Sequence, residues 1–334
     1  MPRVFSILTM HRIAASLGLG AVLALSACAT SPQAGTTASS PSTTAAKPHS
    51  TAASARTPAA SPSGATPSGQ GASANAAIDP GVVSPPSGAA WHAAPGSAAV
   101  QVATLPGGTV SLLWMDPSRL RFRYVPGYAV PEGSPATRAD RTPSTWVPQM
   151  LAGFDSGYKL SDHVGGYYYL GRTVAPLRAG LASLVIAKDG SLSVGTWGRD
   201  IAMMPDTLVV RQNQRPLVLD GVSQAKATDR PRTWGISNGN RPRANRSALG
   251  RLPDGSLVFV HAHDVTAAGL ADVLVTLGVR VAIDLDMNIS WPTGFVYSHV
   301  GGKVVGQKIN PHIVRSPSTY LSRFKKDFVV VQAR

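Results

Sequence analysis

The apolar and polar positions divide this chain sharply. Before about Ala90 there is one apolar run, Ile13 to Leu25, followed by a long stretch of Ala, Ser, Thr, Pro and Gly. Beyond it, short apolar runs recur. AAVQVATL (98–105), TVSLLWM (109–115) and RLRFRYV (119–125) alternate apolar with polar residues or run apolar, with Gly107-Gly108 and Pro117 between them. Successive side chains of a strand point to opposite faces, so this pattern predicts strands. LASLVIAKDGSLSVGTW and SALGRLPDGSLVFVHA each hold an Asp-Gly pair between apolar runs, at Asp189-Gly190 and Asp254-Gly255, and so predict hairpins. TLVVRQNQRPLVLDG predicts a further strand pair turning near Asn213. A helical period occurs at Leu270, Val273, Leu274 and Leu277, with Thr266 as N-cap and Gly278 as C-terminal stop. A second helix is expected near Tyr320 to Lys326, before a terminal strand, DFVVVQ. The expected fold is α+β: a mixed or mainly antiparallel sheet built from hairpins, with few helices.

The 334 residues suffice for one large core or two modest ones. Residues 1–28 read as a lipoprotein signal peptide. Arg3 and Arg12 give a positive start, the apolar run is short for a membrane span, and Leu25-Ser26-Ala27-Cys28 resembles a bacterial lipobox. Cys28, the chain's one cysteine, is then the lipidation site, and no internal disulfide can form. Residues 29–90 read as a disordered tether, because Ala, Ser, Thr, Pro and Gly bury too little apolar surface to offset the entropy of ordering. Residues 91–145 are expected to supply the first strands of the folded part, and 146–334 the main domain. The protein is thus expected outside the cytoplasm, held to the cell membrane by its lipid.

A net charge of +14 favours anionic partners: phosphorylated glycans, anionic polymers or lipid head groups. Export argues against nucleic acid. Glu132 is the only glutamate, so acid chemistry falls to aspartates. The segment VRVAIDLDMNISW, Val279 to Trp291, ends an apolar strand with Asp284, Asp286, Asn288 and Ser290 at alternate positions. On a regular strand Asp284 and Asp286 share a face, and two close carboxylates can divide the roles of acid and base. A turn cap or an ion pair with arginine is the plainer use of either. His261 and His263 have a spacing that suits a metal, but no third ligand is identifiable and none is assigned. Trp291 and Tyr167 to Tyr169 could stack on sugar rings or simply pack.

Three segments, 151–171, 244–260 and 279–290, resemble the phosphodiester glycosidase family in pattern and order, over roughly Trp146 to the C-terminus. Phe154-Asp155-Ser156-Gly157-Tyr158 stands where the family has an Asn-Gly-Gly-Phe-like turn. Arg246-Ser247-Ala248-Leu249-Gly250 matches an Arg-Thr-Ala-Ile-Gly-like strand start. Leu285-Asp286-Met287-Asn288-Ile289-Ser290 stands for Leu-Asp-Gly-Gly-Gly-Ser, with all three glycines replaced. The resemblance implies hydrolysis of a glycosidic bond in a sugar phosphodiester or cell-envelope glycan, without a cofactor. It implies Asp286 as the principal carboxylate, Asp155 as a second, and Arg246 as a phosphate clamp. Ser247, Asn288, Ser290, Asp284 and Gly157 are the implied substrate contacts. The lost glycines leave open a binding lipoprotein that holds anionic glycans without turnover, and Arg246 a structural ion pair.

Overall fold

A computed structural model describes residues 83–135, 139–162 and 164–334. The signal peptide, Cys28 and most of the expected tether lie outside the described residues. In chain order the first strands are β1 (His92–Ala94), β2 (Ser97–Thr104), β3 (Val110–Met115), β4 (Leu120–Val125), β5 (Met150–Asp155) and β6 (Tyr167–Tyr169). Next come β7 (Arg172–Ala175), β8 (Ala182–Ala187), β9 (Leu192–Thr196), β10 (Thr207–Gln212), β11 (Val218–Leu219) and β12 (Val222–Ser223). The last are β13 (Ala244–Arg251), β14 (Leu257–Val265), β15 (Val281–Met287), β16 (Gly294–Val300), β17 (Lys303–Lys308) and β18 (Phe328–Ala333). One α-helix, α1 (Ala267–Thr276), is present among the described residues.

The strands form three sheets, ordered β1-β2-β3-β14-β13-β15-β11-β12, β7-β6-β10-β8-β9 and β17-β16-β5-β18-β4. Their ladders are antiparallel. The molecule is therefore sheet-rich with few helices, as the alternation predicts. Both Asp-Gly hairpins form, as β8–β9 and β13–β14. Thr266 caps α1 by accepting the Gly269 amide at 3.0 Å, and Gly278 takes φ +80° just past its end.

The largest sheet separates two cores. Leu113, Met115, Leu249, Leu257, Phe259, Ile283 and Leu285 face a core shared with the other two sheets. Their chain neighbours Leu112, Trp114, Ala248, Val258 and Ala282 face the other way, against Leu270, Ala271 and Leu274 of α1. The period-two pattern thus carries one apolar set to each side of a sheet buried on both faces.

Two elements depart from the sequence expectation. β10 and β11 are not a hairpin: β10 pairs with β6 and β8, whereas β11 pairs with β15 and β12. The segment holding Asn213 and Pro216 carries the chain from one sheet to another. The helix expected at Tyr320 to Lys326 is a short 3-10 turn, Pro317–Leu321, opened by Ser316. Tyr320 and Phe324 are buried there as aromatic neighbours of Phe328 rather than as one stripe of a longer helix.

Candidate functional site

Charged side chains from all three sheets meet at the ends of β5, β10, β13, β15 and β18. In the third sheet Phe328 lies opposite Asp155, which brings Asp327 beside Ser156. In the largest sheet Ala248 lies opposite Asp284, but Arg246 lies opposite Met287. Three steps along β15 thus span two along β13, which is a β-bulge. The bulge breaks the alternation that would have put Asp284 and Asp286 on one face, and the two carboxylates have different partners.

Asp284 belongs to a first cluster with Arg246, Tyr158 and Trp234. Arg246 Nη1 donates to the Trp234 carbonyl at 2.9 Å and lies 3.5 Å from Asp284 Oδ2. The Tyr158 hydroxyl sits 2.8 Å from Asp284 Oδ2 and 3.0 Å from the Trp234 carbonyl, and can donate to one at a time. Met287 and Tyr158 leave no room for a side chain at Gly235, and its φ of +95° also favours glycine. Arg246 is 1% exposed, so its guanidinium is held within the fold by Asp284 and is not aimed at solvent.

Asp286 and Asp155 belong to a second cluster with Ser247 and Lys326. The Ser247 hydroxyl donates to Asp155 Oδ2 at 2.7 Å and accepts the Asp286 amide at 3.1 Å. Asp155 Oδ1 accepts the Thr293 amide at 2.8 Å, and Asp286 Oδ1 accepts the Met287 amide at 2.8 Å. Lys326 forms an ion pair with Asp286 and donates to the Gly157 carbonyl at 2.6 Å. Gly157 has φ +146°, and Asn213 fills the space where a side chain would stand. Asp155, Ser247 and Asp286, far apart in the chain, thus come together with Lys326, whereas Arg246, expected beside Asp286 and Asp155 as a phosphate clamp, is instead buried against Asp284 in the first cluster.

A third cluster adjoins these. Asp327 Oδ2 accepts from Arg211 Nε at 2.8 Å, Ser156 Oγ at 2.6 Å and the Tyr124 hydroxyl at 2.9 Å. Arg211 also donates to the Tyr158 carbonyl. Arg211, Lys326 and Asp327 escape a reading by motif. Arg211 does leave a trace, as a lone charge inside the apolar run TLVVRQ, and Lys326-Asp327 opens the apolar terminal strand.

Burial dominates the electrostatics. It pushes the Asp155 carboxyl up to about 6, against the Thr293 amide, Lys326 and the Ser247 hydroxyl. It also pushes Asp284 up to about 6, against Arg246 and Tyr158. It lowers Lys326 to about 8, opposed by Asp327 and Asp155. Burial disfavours the Asp327 anion too, but Arg211 and Lys326 outweigh it and hold that carboxyl below its usual range. His261, directly across the ladder from Ser247, is lowered to about 3, by burial first and by His263 and His312 next.

The loop after β15 covers the second cluster. Lys326, Lys159 and Arg315 place their charged groups 5.3, 5.1 and 4.8 Å from the Trp291 ring centroid. Arg315 Nε donates to the Ser290 carbonyl at 2.6 Å. Asn288 takes φ +83°, a left-handed conformation uncommon for a residue other than glycine. Its Oδ1 accepts the Asn238 amide at 2.8 Å, and its Nδ2 donates to the Ile236 carbonyl at 3.2 Å. Together the clusters offer two carboxyls of raised pKa, a lysine of lowered pKa and an aromatic cover flanked by cations.

No family model and no curated protein matches the sequence. Among solved structures, the fold is similar to the catalytic domain of zebrafish N-acetylglucosamine-1-phosphodiester alpha-N-acetylglucosaminidase, auto-inhibited by its pro-peptide. That likeness has 16% identity, covers 70% of this chain and 78% of that one, and has a TM-score of 0.41. A Burkholderia pseudomallei protein described as exported matches at 14% identity, over 70% and 74% of the two chains, with a TM-score of 0.38. A Synechocystis protein matches at 10% identity, over 74% and 61%, with a TM-score of 0.36. These are likenesses of backbone, and they assign no role to any residue.

Proposed function

We propose that this protein is an extracytoplasmic, lipid-anchored hydrolase of the phosphodiester glycosidase type, acting on a sugar phosphodiester or a phosphate-bearing envelope glycan. The observation that carries the reading is the meeting of Asp155, Ser247, Asp286 and Lys326 from four distant segments beneath Trp291. Burying several charges in one place is costly, and functional sites are where such clusters concentrate. In the reaction, water adds to the anomeric carbon and the carbon–oxygen bond to phosphate breaks. The phosphate leaves with the bonding electrons, and the proton of water passes to a carboxylate. Asp286 is the carboxylate proposed for that proton, Asp155 the second, and Trp291 the platform for the sugar. Arg246, engaged by Asp284, positions the strand end.

The test is hydrolysis of an aryl sugar phosphodiester by the full-length protein. Turnover is expected to fall by about a hundredfold or more in Asp286→Asn, the scale of a lost general base. Wild-type turnover in that variant would remove Asp286 from the chemistry. A second reading, glycan binding without turnover, is favoured by the burial of Asp155 and Asp286, 2% and 3% exposed. Tight binding of the diester with no product after prolonged incubation would select it.

A further inference from the structure

Arg246 does not face solvent, yet the proposed substrate carries a phosphate. We infer that the phosphate is held elsewhere: by Arg241 and Arg243, in the cleft beside Asn288, as the anionic subsite for a phosphate-bearing saccharide. Its part in turnover rests on the hydrolase reading, whereas its binding does not.

The cleft has a volume of about 440 Å³, within the range of small-molecule sites. Asn238, Arg241, Arg243, Asn245, His263 and Asn288 line it. Asn238, Arg241 and Arg243 come from the long connection 224–243, whose only regular features are the 3-10 turns Pro231–Trp234 and Asn238–Asn240. Ordered connections of that length within a compact fold are uncommon, and binding loops are one of their main uses. This one carries Lys226, Arg230, Arg232, Arg241 and Arg243, with Asp229 as its only acid.

Arg241 has no acidic partner among the described residues. Arg243 Nε lies 3.1 Å from Asp264 Oδ2, with both side chains more than half exposed. Such a pair is worth little, so exchanging Asp264 for a phosphate is inexpensive. Two guanidinium forks match phosphate geometry. Around them the walls are already fixed. His263 stacks on His312 with ring centroids 3.8 Å apart, and His263 Nδ1 meets Asn245 Oδ1 at 2.8 Å. Asn288 is tied to Asn238 and Ile236, which holds the floor of the cleft two residues from Asp286. Ile289, 64% exposed in the cleft wall, and Ile236, 63% exposed beside it, offer an apolar surface to the C–H face of a sugar. The loop therefore presents Asn288 and Ile289 to the cleft and Trp291 to Lys326, so one short segment joins the cleft wall to the cover of the carboxylate cluster.

Titration calorimetry of α-glucose 1-phosphate into the full-length protein tests this, with methyl α-glucoside and inorganic phosphate as comparators. Wild type is expected to bind the sugar phosphate. Arg241→Ala/Arg243→Ala, altered only at exposed positions, is expected to keep its circular dichroism and lose affinity by about tenfold or more. The neutral glucoside should not bind, and inorganic phosphate should bind more weakly. Equal affinity in the double variant, or no binding by wild type, overturns the subsite. Inorganic phosphate binding as tightly overturns its saccharide part. If the double variant binds normally while Asp286→Asn is inactive, the cleft assignment fails and the hydrolase reading stands. Arginine-dependent binding with no turnover of a diester leaves the subsite standing and removes the hydrolase.

Discussion

Asp155 and Asp284 show how a residue type acquires a new property from its surroundings. Both carboxyls are pushed, chiefly by burial, from 3.8 to about 6. Between those values the folded protein binds more protons than the unfolded chain, so stability falls as pH rises. Their favourable contribution is complete near pH 3.8 and is lost by about pH 6, with a slope of up to about 1.4 kcal/mol per unit for each group. Asp327, lowered instead, acts with the opposite sign and below that window. Urea unfolding at points from about pH 4 to about pH 6 should show the decline, and Asp155→Asn and Asp284→Asn should each flatten it. A slope unchanged in both variants would refute the assignment. The sequence shows that these aspartates interrupt apolar strands. It does not show how much water reaches them, because that depends on what Trp291, Tyr158 and Trp234 cover.

Among elements, the alternation and Asp-Gly turns suffice for β8–β9 and β13–β14, since a hairpin is a local decision made by a few residues. The β15 bulge is not local. It appears only when β15 is set against β13, and it separates Asp284 from Asp286. The same holds for the link between the second and third sheets, where Arg211 on β10 meets Asp327 at the start of β18. Removing one partner of a buried ion pair strands the other in a medium that cannot solvate it. Asp327→Ala is therefore expected to cost about 3–5 kcal/mol in urea unfolding, and Arg211→Met/Asp327→Leu appreciably less. A cost below about 1 kcal/mol for Asp327→Ala would show that the pair does not tie the sheets together.

For the whole molecule, the described residues include no helix long and apolar enough to cross a membrane. The proposed attachment is by a lipid at Cys28. Cys28→Ser is expected to move the protein from the membrane fraction to the soluble fraction; unchanged membrane retention would exclude the lipid as the anchor. The sequence by itself determined the strand-rich texture, the two Asp-Gly hairpins, the capped α1 and the excess of positive charge, because each follows from neighbours in the chain or from simple composition. It also singled out Asp155, Ser247 and Asp286. Only the tertiary structure decided their partners: Lys326 with Asp286, Arg246 with Asp284, Arg211 with Asp327. Those pairings join segments far apart in sequence. Their register and burial are set when three sheets close on one core, and no local pattern encodes that event.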